Sequence, residues 1–141
     1  LEKTVSSVER FKDFELFNLH GEKVRLSEVQ GDRALLLVFW AMWSDTCREH
    51  LSRLRSMYEE YKRNGVAVVA INVDQNQRLL SAYVREQQLY FPVLKDPLGI
   101  IEEAYDIYLL PANILIDKEG FIVYRDTSLP DMSVVAPMRQ S

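Results

Sequence analysis

Two uninterrupted apolar runs, separated by a segment of helical periodicity, constrain the fold of this chain more than any other feature. The runs ALLLVFW (34–40) and VAVVAINV (66–73) are rich in β-branched and aromatic residues, as strands buried on both faces are. Between them, apolar side chains recur every three or four positions over 47–61, which predicts a helix that ends near Asn64. A strand, a helix and a strand in this order predict a parallel pair with a right-handed crossover.

The remaining segments predict that hairpins and short helices surround this unit. Residues 14–26 alternate around a turn at Gly21, which predicts an N-terminal hairpin. A second helix is expected over 77–88, and the sequences on either side of Lys118-Glu119-Gly120 predict a second hairpin. A short helix should begin at Pro97, since proline suits a first helical turn.

The predicted fold class is α/β, a mixed central sheet flanked by helices. We expect one domain over residues 14–141, and an N-terminal extension or the remnant of a tag over residues 1–13. The tail after Arg125 should form one or two helical turns from Pro130 and stop at Pro137. Such a short tail would leave a patch of sheet that a second copy could bury, so a homodimer is one expectation.

Charge and hydropathy exclude two classes of partner. The net charge of −4 and the absence of a basic stripe argue against nucleic acid, because phosphate binding needs clustered Lys or Arg. The longest apolar run, residues 34–43, is about half of the ~20 residues that a membrane-spanning helix needs. The chain begins at Leu1 without a signal-peptide pattern, which leaves a membrane anchor upstream of it open.

The stretch WAMWSDTCR places the single cysteine three residues after a serine. Ser44 should be the N-cap of the long helix, and Cys47 should lie in its first turn. A lone cysteine can be a buried hydrophobe, an intermolecular partner or a reactive thiol, and the sequence leaves all three open. His50 lies one turn later, so it either accepts the Cys47 proton or packs on the helix face. One cysteine and two distant histidines lack the spacing of a zinc site, so we expect neither a metal nor another cofactor.

The segments LLLVFWAMWSDTCRE, AINVD, FPVLKDP and LPANILIDKEGFIVYR, in this order, resemble the thioredoxin-like TlpA/ResA-type thiol-disulfide oxidoreductases of the AhpC/TSA superfamily. The resemblance extends over about residues 14–125 and is carried mainly by F-W-A-x-W and by L-P-x-x-x-L-I-D-K-x-G. It implies a thioredoxin-like fold. It also favours a location outside the cytoplasm, periplasmic or membrane-anchored, and keeps a cytoplasmic location as the alternative.

The resemblance also implies roles for individual residues. The family's active-site turn is W-C-x-x-C, so Ser44 stands where the attacking cysteine belongs and Cys47 matches the resolving one. His50 occupies a position where the family commonly has a proton-transferring glutamate. Pro111 matches a cis-proline opposite the turn. The substrate-binding residues that follow from the resemblance are Trp43, Asp45, Thr46, Leu110 and Pro111, with Trp40 and Tyr90 expected partly in the core and partly at the rim of a peptide groove.

Three functions follow from these residues. The first is a thiol-disulfide oxidoreductase that is inactive or impaired in this chain because Ser44 replaces the attacking cysteine, either by deliberate substitution or by divergence. Its partner would be a protein dithiol or disulfide. The second is a one-cysteine peroxidase that uses Cys47, because Ser44-x-x-Cys47 is similar to the T-x-x-C of peroxiredoxins. The third is a non-catalytic module that binds an extended peptide segment beside Pro111.

Overall fold

The structure is a computed structural model that describes residues 9–29 and 31–140. Within these residues, eight strands form one sheet in the order β1-β8-β7-β4-β5-β6-β2-β3. The strands are β1 (Glu9–Arg10), β2 (Glu15–Asn18), β3 (Lys23–Arg25), β4 (Ala34–Trp40), β5 (Val66–Asn72), β6 (Val93–Lys95), β7 (Ala112–Asp117) and β8 (Phe121–Asp126).

Four α-helices and two 3-10 segments accompany the sheet in the described part of the chain. The helices are α1 (Asp45–Arg63), α2 (Leu80–Glu86), α3 (Ile100–Ala104) and α4 (Met132–Val135). The 3-10 segments are Leu26–Glu28 and Ala136–Gln140.

The two apolar runs form the centre of the sheet, as predicted. All seven residues of β4 are buried, and β4 pairs in parallel with β5 from Ala34↔Val66 to Trp40↔Asn72. The helix α1 connects them and ends at Asn64, followed by Gly65 with a φ of +78°. The predicted β-α-β unit is therefore confirmed, and its carboxyl-terminal edge lies at the Trp40 end of β4.

Both predicted hairpins are present. Strands β2 and β3 pair antiparallel around the turn that contains Gly21, and β2 continues the sheet beyond β6. Strands β7 and β8 pair antiparallel around Gly120, and β7 lies antiparallel to β4. Residues Glu9 and Arg10, within the segment expected to be an extension, pair with β8.

Alternate residues of β4 point into two apolar layers, one on each face of the sheet. Leu36, Val38 and Trp40 join a layer that is closed by α1, α2 and the tail. Leu35, Leu37 and Phe39 join the layer on the other face, which is closed by α3 and the N-terminal segments. This arrangement is the mixed sheet with helices on both faces that the sequence predicts.

Two helix boundaries differ from the prediction because polar side chains occupy the turns before them. The second helix begins at Leu80 and not near residue 77, because the Gln77 amide donates to Asn72 Oδ1 at 2.9 Å and to the Asp74 carbonyl. The third begins at Ile100 and not at Pro97, because the carboxylate of Asp96 accepts the backbone N–H groups that open it.

The tail after β8 covers part of the sheet. Val135 of α4 is fully buried in the α1 layer, where Leu129, Met132 and Val134 also pack. The helical turns were expected to stop at Pro137. Instead α4 ends at Val135, and the 3-10 segment Ala136–Gln140 continues through Pro137.

Candidate active site

The candidate active-site turn joins the carboxyl end of β4 to the first turn of α1. Ser44 precedes the helix in an extended conformation, with φ −104° and ψ 120°. Its Oγ accepts a hydrogen bond from the backbone N–H of Cys47 at 3.2 Å. The predicted N-cap is confirmed, and the serine oxygen is held against the first turn of α1.

Cys47 is enclosed in the protein. Its side chain is 0% exposed and lies in the apolar layer with Trp40 and Leu51. Thiol-disulfide exchange requires direct contact between a thiolate and a disulfide sulfur. A partner disulfide therefore cannot reach Cys47 unless the turn opens.

Trp43, Asp45 and Thr46 are all exposed, and Trp43 keeps 71% of its surface in solvent. The guanidinium of Arg48 binds both ends of the turn, since it donates to the carboxylate of Asp45 and to the carbonyl of Met42. An exposed ion pair contributes only about 0–1 kcal/mol. Its effect is therefore to orient the turn more than to stabilise the fold.

Asp74 is a second support of the turn, and sequence reasoning missed it. The residue follows β5, is 7% exposed, and its Oδ2 accepts from the N–H of Met42 at 2.7 Å and from the Asn72 amide at 2.8 Å. The sequence contains an indication of this role. Asp74 ends the segment AINVD, and parallel strands end at the same edge of a sheet, so Asp74 should lie near the loop after the first strand. A carboxylate there reaches the loop that leaves the neighbouring strand.

Pro111 lies directly before β7, and the Leu110–Pro111 peptide bond is cis, as the resemblance implied. Leu110 is half-buried and Pro111 is buried. Both line a groove of about 830 Å³ between α1 and the chain segment 127–131, which we call the α1 groove. Thr46 and His50, on either side of Cys47 in the sequence, line it too. The first turn of α1 and the cis-proline thus border one groove.

The α1 groove is mainly apolar, and its apolar side chains come from α1, the loop before β7 and the tail. They are Met57, Leu109, Leu110, Pro111, Leu129 and Pro130.

His50 is buried, with 4% of its surface exposed. Its Nε2 lies 2.8 Å from Oδ1 of Asn113, whose own amide nitrogen donates to the carbonyl of Asp126 at 3.1 Å. The bond to the Asp126 carbonyl fixes the orientation of the Asn113 amide, so that Oδ1 of Asn113 faces His50. Because this oxygen can only accept, Nε2 of His50 must donate. Burial lowers the pKa of His50, the bond to Asn113 opposes this, and the charge of Arg53 adds to the lowering. The neutral ring protonated at Nε2 is the favoured form.

The structure does not bring every candidate residue into one cluster. The hydrogen bond of His50 goes to Asn113, so the proton-accepting contact with Cys47 is not the one formed here. Trp43 lies over a separate hollow that it shares with Asp74 and Leu110. Trp40 is wholly in the core, 5.8 Å from the ring of Tyr83, while Tyr90 lines another groove beside His20.

Within residues 9–29 and 31–140, no group of three or more His, Cys, Asp or Glu side chains lies close enough to hold a metal ion. None of the helices in that part of the chain has the length and apolar character needed to cross a membrane.

Comparison with known proteins places this geometry in a family. The model of the AhpC/TSA family matches residues 8–125. The chain belongs to the AhpC/TSA family. Its sequence is 30% identical over 111 residues to the thiol-disulfide oxidoreductase ResA of Bacillus subtilis (strain 168), which covers 79% of this chain and 62% of that protein. It is 31% identical to ResA of Bacillus thuringiensis subsp. konkukian, over 79% of this chain and 64% of the relative. The chain thus spans less than two thirds of the length of these relatives.

Solved structures confirm the thioredoxin-like fold. A protein assigned as a thiol:disulfide interchange protein of the DsbE type, from Chlorobium tepidum, superposes with a TM-score of 0.78 at 28% identity, over 94% of this chain and 93% of the other. The peroxidoxin BcpB of Mycobacterium tuberculosis also gives 0.78, at 21% identity over 94% and 96% of the two chains, and this second likeness concerns the fold alone.

Proposed function

We propose that this AhpC/TSA-family chain is a thiol-disulfide oxidoreductase scaffold that binds a protein dithiol, a disulfide or an extended peptide segment beside Pro111, and that it does not complete disulfide exchange by itself. One observation carries the proposal: the only thiol is buried, while the outer position of the turn holds a serine engaged as a helix cap.

Two thiols are needed for the reduction of a substrate disulfide in this type of site. The first thiolate attacks one substrate sulfur, which forms a mixed disulfide and releases the other substrate sulfur as a thiolate. The second thiolate then attacks the mixed disulfide, so that the substrate leaves reduced and the protein keeps the new disulfide. A serine hydroxyl cannot take the first step, because it needs an adjacent base, and the hydrogen bond that Ser44 makes is to a backbone N–H.

The surroundings of the turn support a retained binding role. Asp74 and Arg48 hold the turn in place, and the α1 groove is open between Thr46 and Pro111. Apolar grooves with a few polar groups are the usual form of binding sites.

The decisive experiment is to introduce the missing thiol. The Ser44→Cys variant should catalyse reduction of a protein disulfide by dithiothreitol, measured as precipitation of the reduced protein, while the parent chain stays at the uncatalysed rate. The double variant Ser44→Cys, Cys47→Ala, without dithiothreitol, should attack a peptide supplied as its disulfide with a small thiol, release that thiol, and accumulate the mixed disulfide with the peptide, seen by mass spectrometry, without turnover.

Two results would contradict this proposal. A folded Ser44→Cys variant with two titratable thiols that remains at the uncatalysed rate would remove the oxidoreductase scaffold. Trapping of a sulfenic acid on Cys47 by a cyclic diketone, after equimolar hydrogen peroxide and without unfolding, would favour the one-cysteine peroxidase instead.

A further inference from the structure

The walls of the α1 groove are fixed by hydrogen bonds. The hydroxyl of Tyr61, on α1, donates to the carbonyl of Pro130 at 2.6 Å, and the hydroxyl of Tyr124 donates to the carbonyl of Ser128 at 2.7 Å. The segment 127–131 is therefore held at a distance from α1 that leaves the groove open. Its volume of about 830 Å³ lies within the range of about 300–1,000 Å³ typical of ligand sites.

The lining favours a neutral and largely apolar occupant. The groove is bordered by one exposed residue of each charge, Arg53 and Asp131, and the rest of its polar residues are uncharged or neutral. A charged group on its apolar floor would lose its hydration without a buried counter-ion, which is costly. An apolar side chain would release water from six apolar residues at once.

One polar atom of the groove has no partner. Nε2 of His50 donates to Asn113, which leaves Nδ1 with a free lone pair in the neutral ring. No hydrogen bond to Nδ1 is formed by the described residues. In the described part of the chain, two side-chain atoms are both unpaired and inaccessible to solvent, Trp40 Nε1 and Gln77 Oε1. Nδ1 of His50 is unpaired but is not one of them, so it keeps some solvent-accessible surface. Since His50 is 96% buried and lines the α1 groove, the small surface that it keeps faces that groove, and by exclusion Nδ1 belongs to this surface.

We propose that the α1 groove is a specificity pocket for an aromatic side chain that carries a hydrogen-bond donor, a tyrosine or tryptophan of the bound peptide, whose O–H or N–H donates to Nδ1 of His50. These two side chains combine a large apolar ring with one polar hydrogen. Phenylalanine and leucine would fill the space but leave Nδ1 unpaired. Lysine and arginine would bring a charge onto the apolar floor.

This inference rests on the proposed function for the identity of the ligand as a peptide, although the pocket can be tested without a peptide. The probes are two matched pairs of small molecules: p-cresol with toluene, and indole with N-methylindole. In each pair the first member has the donor and the second lacks it. Dissociation constants are measured by titration of the amide resonances of the uniformly ¹⁵N-labelled parent chain.

We expect p-cresol and indole to shift the resonances of Thr46, His50 and Met57, and to bind about five-fold tighter than their partners, which corresponds to ~1 kcal/mol for one neutral hydrogen bond. Met57→Trp should weaken the binding of all four probes, because the larger indole narrows the groove. The matched control Leu98→Trp, at a side chain that is 82% exposed and outside the groove, should bind like the parent. His50→Phe should bind toluene as before and lose the preference for p-cresol.

Equal affinity within both probe pairs, or binding that Met57→Trp leaves unweakened, would overturn the inference. So would nuclear Overhauser contacts in the ligand-free protein from Met57 to residues 1–8 or to a second copy, because the chain itself would then fill the groove. Should His50→Phe fail to fold, the probe pairs and Met57→Trp still decide. If the probes show a donor preference but Ser44→Cys, Cys47→Ala traps no peptide, the proposed function is contradicted and the pocket is not. If that variant traps a peptide but the probes show no donor preference, the pocket is contradicted and the proposed function is not.

Discussion

Ser44 and Cys47 are joined by a hydrogen bond of 3.2 Å from the backbone N–H of the cysteine to the serine oxygen. The oxygen of Ser44 is therefore part of the helix start. A cysteine at this position would present its sulfur to the same N-terminal turn, where the helix dipole favours a thiolate by about 0.3–1 kcal/mol. The backbone is thus arranged for an anion that a serine does not provide.

Loss of this cap should destabilise the protein measurably. We expect Ser44→Ala to lower the free energy of unfolding by about 1 kcal/mol, within the 0.5–2 kcal/mol found for N-caps, because the N–H of Cys47 loses its acceptor. Urea denaturation followed by circular dichroism measures the change. The control is Ser52→Ala, an exposed residue within α1, which should stay within about 0.5 kcal/mol of the parent. Equal values for the two variants would show that the cap contributes nothing.

Asp74 should control the order of the active-site turn. Asp74→Ala leaves the N–H of Met42 and the amide of Asn72 without their acceptor in a buried place, so we expect a loss of about 1–3 kcal/mol in the free energy of unfolding. Amide hydrogen exchange at Met42 should also become faster, while exchange in α3 remains unchanged. Gln75→Ala, at the next and exposed position, is the control. Unchanged exchange at Met42 in Asp74→Ala would mean that the turn is held by other contacts.

The parts of the fold that the sequence predicts are those set by apolar periodicity. The sequence predicts β4 with its observed bounds. A strand that is buried on both faces is apolar at every position, so its apolar run begins and ends with the strand. α1 was found from its buried stripe, and Ser44 from the preference of serine for the N-cap. The errors occur at Gln77 and Asp96, whose side chains bond to backbone groups of the next turn. Periodicity carries no information about such bonds.

The candidate site shows the same division. The turn and Pro111 could be placed from their motifs, but the partner of His50 could not, because Asn113 is 63 residues away in the sequence and gives no signal in a buried strand. Cys47 illustrates a further limit. Its position in the helix was predictable, whereas its complete burial follows from the packing of the layer that it shares with Trp40 and Leu51.

Asp96 provides a test of the corrected start of α3. Its carboxylate accepts the N–H groups of Ile100, Ile101 and Glu102, and its side chain is buried. We expect Asp96→Ala to lower the free energy of unfolding by about 1–3 kcal/mol, since these N–H groups lose their acceptor. Glu103→Ala, an exposed position in α3, is the matched control and should change little. Equal stability of Asp96→Ala and Glu103→Ala would show that the carboxylate of Asp96 does not hold the start of α3.

The buried histidine should make the stability depend on pH in a defined direction. Burial lowers the pKa of His50 below its usual value of 6.5, so the unfolded chain binds a proton at a higher pH than the folded one. The contribution of His50 to the free energy of unfolding should therefore have its full value above pH 6.5. It should decrease as the pH drops from 6.5 through the pKa of His50 in the folded protein. One proton limits the slope to about 1.4 kcal/mol per pH unit.

The measurement compares urea unfolding of the parent with His50→Gln and with His20→Gln between pH 8 and pH 5. His50→Gln should be less stable at pH 8, because the bond to Asn113 is disturbed, and its difference from the parent should shrink as the pH falls. His20 lies exposed in the hairpin turn, and His20→Gln is the control for the loss of a histidine at the surface. Carboxylates titrate in all three proteins and cancel in the difference. Parallel curves for the parent and His50→Gln would show that His50 has the same proton affinity in the folded and unfolded chains, and the neutral ring assigned to the α1 groove would then lose its support.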